Sequence, residues 1–292
     1  MSGRARGAAL AAGAAVGVQV GAATVVSRFA LEQCGPSTLA FLRYLIGVGV
    51  LLPFVLRAPR VAFARRDLAP IAVLGVLQFG VLVALLNVGL QYIPAGRAAL
   101  VLATMPLMTL LISAALGRER LTPASLGGVA LTIAGVAIAL GPRAFDPGAG
   151  DRQWIGNLAV LAGTASGAAC SVFYRPYLAR YPALQLSAFA MACSVVFLAG
   201  AAALEIASGR APALRADGWL AAGFVGLSSG IGYTLWLWAL ARASPTRVTV
   251  FMALSPLTAA LIGAAWLGEP LDARFALALA CVAAGLWISQ RR

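Results

Sequence analysis

Residues 97–138, RAALVLATMPLMTLLISAALGRERLTPASLGGVALTIAGVAI, return without a gap as residues 247–288, RVTVFMALSPLTAALIGAAWLGEPLDARFALALACVAAGLWI, at a constant offset of 150. Arg97 falls on Arg247, Pro106 on Pro256, Leu111-Ile112 on Leu261-Ile262, Glu119 on Glu269 and Ala134-Gly135 on Ala284-Gly285. The two copies are identical at 14 of 42 positions. Shared Ala/Leu/Gly-rich composition alone gives only about four or five, so the chain contains an internal repeat.

Around this repeat the composition is that of a polytopic membrane protein. Of 292 residues, 61% are hydrophobic and 11% charged, with a mean hydropathy of +0.91; ordinary soluble domains carry about 25% charged residues. The net charge of +13 comes from 22 basic residues, all Arg. They stand singly or in pairs between apolar runs, where loop charges orient helices, so a nucleic-acid partner is not indicated. Cys34, Cys170, Cys193 and Cys281 lie in or beside apolar runs without metal-ligand spacing, and the chain has no His. Neither a disulfide, a metal site nor a cofactor is implied. Arg4 and Arg6 ahead of an Ala/Gly-rich run resemble a signal peptide, but without a convincing cleavage site the run reads as a retained first helix.

A helix needs about 20 apolar residues to cross a bilayer. That measure predicts ten spans: 7–27, 37–56, 69–92, 98–116, 123–140, 154–174, 183–206, 218–241, 248–267 and 273–289. Residues 141–153, with two prolines, three glycines and four charges, form a linker between a first unit, 1–140, and a second, 154–292. Starting in the cytoplasm, 14 arginines fall inside and seven outside, leaving Arg43 within the second span. The positive-inside bias therefore predicts cytoplasmic termini. Five is odd, so the second unit starts on the opposite side from the first. Such inverted repeats are a sequence signature of secondary transporters.

Ten spans, a five-plus-five repeat, a mid-helix Pro, and then Gly117-Arg118-Glu119-Arg120-Leu121 and Leu267-Gly268-Glu269-Pro270-Leu271 resemble the EamA family of the drug/metabolite transporter superfamily. The resemblance spans essentially the whole chain. It implies an all-α membrane protein in the bacterial plasma (inner) membrane, a monomer or homodimer that moves small metabolites such as amino acids, and no enzyme.

Several residues are candidates for the path. Pro106 and Pro256 remove a backbone donor near mid-helix, leaving the carbonyls of Leu102 and Met252 without helical partners, and read as paired hinges. Gln19 and Gln78 are lone amides at depth and must face the interior or water. Gly13, Gly17 and Gly21, Gly163 and Gly167, and Gly226 and Gly230 form small-residue packing faces. At 100° per residue Gln19 points away from Gly17, towards a cavity wall. Tyr233 shares the Gly226–Gly230 face, with Trp236 following; both are expected to contact substrate. Glu119 and Glu269 stand at helix ends ahead of Thr122-Pro123 and Asp272, where they serve as structural motif residues paired with Arg118, Arg120 or Arg274. Arg43 reads as structural.

No Asp, Glu, Lys or His falls at the centre of a predicted span, so no carboxylate proton relay is indicated. The expected function is export of small neutral or zwitterionic metabolites by alternating access. Proton-coupled drug or metabolite antiport is the alternative, and a non-transporting scaffold a weaker one.

Overall fold

Local chemistry sets where each helix begins and ends. The computed structural model describes residues 3–59, 61–118, 121–140, 152–240 and 254–289, and every regular element among the described residues is helical. These elements are α1 (Gly3–Ala30), α2 (Pro36–Arg57), α3 (Arg65–Leu90), α4 (Ala95–Ala115), α5 (Pro123–Leu140), α6 (Gln153–Phe173), α7 (Ala183–Ala207), α8 (Ala216–Leu240), α9 (Leu254–Leu267) and α10 (Ala273–Ser289). A single turn, Arg175–Leu178, follows α6. Among the described residues α1 to α4, α6 and α7 are long and apolar enough to cross a membrane, while α5, α9 and α10 carry shorter apolar runs. Length and composition thus support six of the ten expected spans outright.

Pro36 and Pro123 occupy the first positions of α2 and α5, where a missing N–H costs nothing. Thr122 and Asp272, 150 residues apart, cap α5 and α10 as expected. Thr122 Oγ1 accepts the Ser125 N–H at 3.1 Å, and Asp272 Oδ1 accepts the Phe275 N–H at 2.8 Å. At the other end of the motif, Gly117 and Gly268 adopt φ of +68° and +65°. Each lets the chain turn back after α4 or α9, so that the Arg118 N–H reaches the Ser113 carbonyl and the Glu269 N–H reaches that of Gly263. The first bond closes over five residues and the second over six, so the two endings share a left-handed glycine but differ in length.

Two helices are irregular. Within α3, Val76–Val81 is a π-helical turn, a form found frequently at functional sites. The regular helix in α4 breaks between Leu102 and Met105, just before Pro106, and Thr104 Oγ1 donates to the Val101 carbonyl at 2.7 Å. The break falls where Pro106 has no N–H to donate to the Leu102 carbonyl. Pro256 is buried in the first turn of α9 as described, and the residues before 254, Met252 included, lie outside the described ones.

Packing follows the repeat. The helix α1 packs on α8 and α9, and α6 packs on α3 and α4; α2 meets α8, and α7 meets α3. The pairs α5–α10, α2–α7 and α4–α9 are also packed. Each of these pairings survives exchange of each helix for the one five places on. The close contacts agree: a Cβ on Gly21 of α1 would collide with the Ser255 carbonyl of α9, and one on Gly167 of α6 with the side chains of Leu82 and Met105. Met105 and Ser255 are 150 residues apart. Small residues let these backbones touch where lipid offers no hydrophobic drive to association.

Candidate functional site

The expected site residues Gln19, Gln78 and Tyr233 are brought into one region where α1, α2, α3 and α8 meet. The ring of Tyr233 stands edge-on to Phe79 at 5.6 Å, and Phe79 stands edge-on to Tyr44 at 5.4 Å. These geometries suit the ring quadrupoles. The row runs from α8 through the π-helical turn of α3 to α2. Gln78 adjoins Phe79 in that turn and is half-buried. Gln19 lies against the backbone of Gly232, beside Tyr233. It therefore sits within the α1–α8 contact rather than away from the packed face, because α1 is packed on two sides, by α9 along Gly21 and by α8 along Gln19.

Tyr233 faces Ser187 of α7 and packs, with Tyr174 and Met105, on a core cluster that includes Tyr44, Phe79, Leu82 and Met191. Two hydroxyls in this region, those of Tyr174 and Ser194, are closed off from solvent and have no hydrogen-bond partner among the described residues. Buried polar groups normally find partners. The π-helical turn is tied to α6 by Ser166, whose Oγ donates to the Leu77 carbonyl at 3.1 Å. Trp236 lies on α8, but its side chain, like the whole of Glu119, is outside the described residues.

Arg43 joins two helices. Its Nε donates to Ser229 Oγ on α8 at 2.7 Å, and its guanidinium lies 5.8 Å from the centre of the Tyr44 ring. Glu269 needs a correction of partner. Its Oε1 accepts the Ala95 N–H at 2.9 Å and pairs with Arg28 at 3.2 Å, so it serves the start of α4 and the end of α1. The Gly-x3 turn after α9 folds its carboxylate inward over Gly263, bringing it to Arg28 in place of Arg274.

Sequence reasoning passed over the two ends of the bundle. At one, Asp67 in the first turn of α3 is 5% exposed; it accepts hydrogen bonds from Tyr181 Oη at 2.7 Å and Arg180 at 2.9 Å. At the other, Asp217 in the first turn of α8 accepts from Gln33 Nε2 and Arg215, each at 3.2 Å. Desolvation pushes the Asp217 carboxyl up. The hydrogen bonds from Gln33 and the Gly218 N–H, with Arg215 alongside, outweigh it and hold the group below the usual carboxylate range. A 580 Å³ cavity lined by Glu32, Gln33, Gln91, Arg210 and Arg215 opens beside it. The signal that would have found both acids is the repeat itself, since Asp217 stands 150 residues after Asp67. Every described Asp and Glu stands in a connection or in the first or last turn of a helix.

An all-helical, twice-repeated bundle with helices long and apolar enough to cross a bilayer is the architecture of a polytopic membrane protein. The EamA-like transporter family matches residues 6–141 and again 154–290, and the chain belongs to that family. It is 32% identical over 221 residues to a probable terminal-alkyne amino-acid exporter of Streptantibioticus cattleyicolor, covering 74% of this chain and 70% of that protein. It is 30% identical over 261 residues to the uncharacterized inner membrane transporter YedA of Escherichia coli, covering 86% and 80%. A solved crystal structure with 23% identity superposes with a TM-score of 0.65 over 96% of both chains, a likeness of fold alone.

Proposed function

We propose that the chain exports small neutral or zwitterionic metabolites, amino acids with aromatic or other hydrophobic side chains among them, across the bacterial plasma (inner) membrane. Ten membrane-spanning helices form two inverted five-helix repeats, 1–140 and 154–292, joined by 141–153. Both termini lie in the cytoplasm, and the two units rock to open a central site to each side in turn. Gln19, Gln78, Tyr233 and Trp236 contact the substrate, and Pro106 and Pro256 are the hinges.

The observation that carries this reading is the row Tyr44–Phe79–Tyr233 with Gln19 beside it at the crossing of helices from both repeats. Faces of aromatic rings and a neutral amide suit an apolar side chain and an uncharged or zwitterionic head. The confinement of the described acids to helix ends supports transport without a carboxylate proton relay. The amino-acid export named for the Streptantibioticus relative supports the substrate class.

Purified protein in liposomes is expected to exchange labelled aromatic and aliphatic amino acids with no pH gradient. Exchange strictly dependent on an imposed proton gradient would make the chain a proton-coupled antiporter. No exchange of any amino acid would remove the substrate assignment.

A further inference from the structure

Asp67 and Asp217 occupy the same place in the two repeats. Each stands in the first turn of its unit's third helix, 150 residues from the other, and each binds the connection between the first and second helices of the opposite unit. Asp67 holds Arg180 and Tyr181 of the α6–α7 connection; Asp217 holds Gln33 of the α1–α2 connection. The backbone around them repeats the pattern. The Ala64 N–H donates to Tyr181 Oη at 3.1 Å, and the Arg215 N–H donates to Gln33 Oε1 at 2.9 Å. One device is thus built twice, once at each end of the bundle, across the seam between the units.

The chemistry of the two copies differs. The Asp67 side chain is 7% exposed and takes a guanidinium and a phenol, and Phe63 packs against Tyr181 at 4.8 Å and Phe189 at 5.3 Å. The Asp217 side chain is 48% exposed, takes a neutral amide from across the seam, and among the described residues forms its ion pair with Arg215 of its own segment, itself 73% exposed. Arg180 itself is 44% exposed, so the difference lies in the carboxylates: an ion pair to one withdrawn from water resists separation more than a neutral amide's bond to one half in water.

We infer that Asp67 with Arg180 and Tyr181, and Asp217 with Gln33, are the two gate clamps of the transport cycle, and that the Asp67 clamp is the stronger. The inference rests on the alternating-access reading above and names the residues that set its balance. On the proposed topology Asp67 lies at the cytoplasmic end, so the resting protein favours the state closed to the cytoplasm. Both clamps are closed in this structure, and release of one at a time opens one end.

The test moves the difference between the clamps in both directions. Ser187 is 5% exposed, lies on α7 between the Asp67 clamp and Tyr233, and changes by one atom on conversion to Cys. In a chain carrying Ser187→Cys, Cys193→Ser and Cys281→Ser, labelling by a membrane-impermeant maleimide is followed in inside-out vesicles. Arg180→Gln, which gives the cytoplasmic clamp the chemistry of the outer one, is expected to raise the labelling rate about tenfold, since a buried carboxylate loses its charged partner. Gln33→Arg, which gives the outer clamp the chemistry of the inner one, is also expected to raise it, though it lies at the far end of the molecule. A purely structural role for Gln33 does not produce that second effect. Amino-acid exchange in liposomes is measured on the same proteins. Exchange by the parent with labelling unmoved by both substitutions overturns the clamps. Labelling that moves without exchange by the parent overturns the substrate assignment and leaves the clamps standing.

Discussion

The crossing of α2 with α8 and the crossing of α7 with α3 are counterparts in the two repeats, and they are built differently. Gly230 of α8 lies on Gly47 of α2, with the Gly47 carbonyl 3.0 Å from where a Cβ on Gly230 would be. Gly80 of α3, 150 residues before Gly230, faces Ser194 and Phe197 of α7 instead. The first crossing is backbone on backbone, tied by Arg43 to Ser229. The second is tight only lower down, where a Cβ on Gly75 would collide with the Ala190 carbonyl, and above that it carries the π-helical turn, the aromatic Phe79 and the unpaired Ser194 hydroxyl. Duplication set where helices cross, and side chains then made one crossing a joint and the other a wall of the central region.

The largest effects should fall where the contact is with groups that cannot move. Gly75→Ala and Gly226→Ala are each expected to cost about 2–3 kcal/mol, because the new methyl meets the Ala190 carbonyl in one case and Ile46 Cβ at 2.6 Å in the other. Gly80→Ala meets the far ends of Phe197 and Ser194, at 3.0 and 3.3 Å, and is expected to cost under about 1 kcal/mol. Thermal unfolding midpoints in detergent rank the three. Equal losses at Gly80 and Gly226 would erase the distinction between joint and wall.

Tyr233→Ala comes next. It removes the ring that meets Phe79 and Ser187 without touching the α2–α8 glycines. The substrate KM for amino-acid exchange should rise about three- to tenfold, the worth of one lost aromatic contact. Tyr233→Phe keeps the ring and should stay near the parent value. If both variants raise KM equally, the hydroxyl rather than the ring face is what the substrate meets.

These comparisons also show what a sequence can and cannot disclose. The repeat, the capping residues Thr122 and Asp272 and the Gly117 and Gly268 turns are legible because each depends on local spacing. Helix-face glycines such as Gly21 and Gly226 were legible for the same reason. The partners of Glu269 and Asp67 were not, because Arg28 and Arg180 reach them from distant segments and nothing local marks which arginine arrives. The contact of Gln19 with Gly232 is not legible, because a helix wheel allows one packed face and α1 has two. The π-helical turn left no mark, since Val76–Val81 reads as an ordinary apolar run. Extending the offset of 150 back pairs Asp67 with Asp217 and Gly80 with Gly230, which marks both acids and both crossings but not the partners that the acids take.

Arg43→Gln sharpens the comparison from the α2 side. The bond to Ser229 joins α2 to α8 at the joint, and a hydrogen bond to a charged donor is worth about 1.5–3 kcal/mol, less the desolvation that the smaller amide avoids. A net loss of about 1 kcal/mol is expected, with substrate selectivity unchanged. A change in selectivity among neutral, acidic and basic amino acids at constant stability would move Arg43 from the joint to the substrate path.

The smallest structural effect belongs to Ser194. Its side chain is 0% exposed and its Oγ has no partner, so the folded protein carries a desolvated hydroxyl with nothing in return. Ser194→Ala deletes that hydroxyl and leaves the helix packing as it is, so stability should hold or rise by up to about 1 kcal/mol. Were Ser194 only a packing residue, exchange would be unaffected as well. It faces Gly80, two residues from Gln78, at the edge of the aromatic row. A substrate head group reaching that wall would supply the missing partner, and Ser194→Ala should then weaken exchange two- to fivefold while the protein becomes no less stable, about 0.5–1 kcal/mol of binding. Stability gained with exchange lost would place the polar end of the substrate at the α3–α7 crossing; stability and exchange lost together would show that the hydroxyl serves the packing after all.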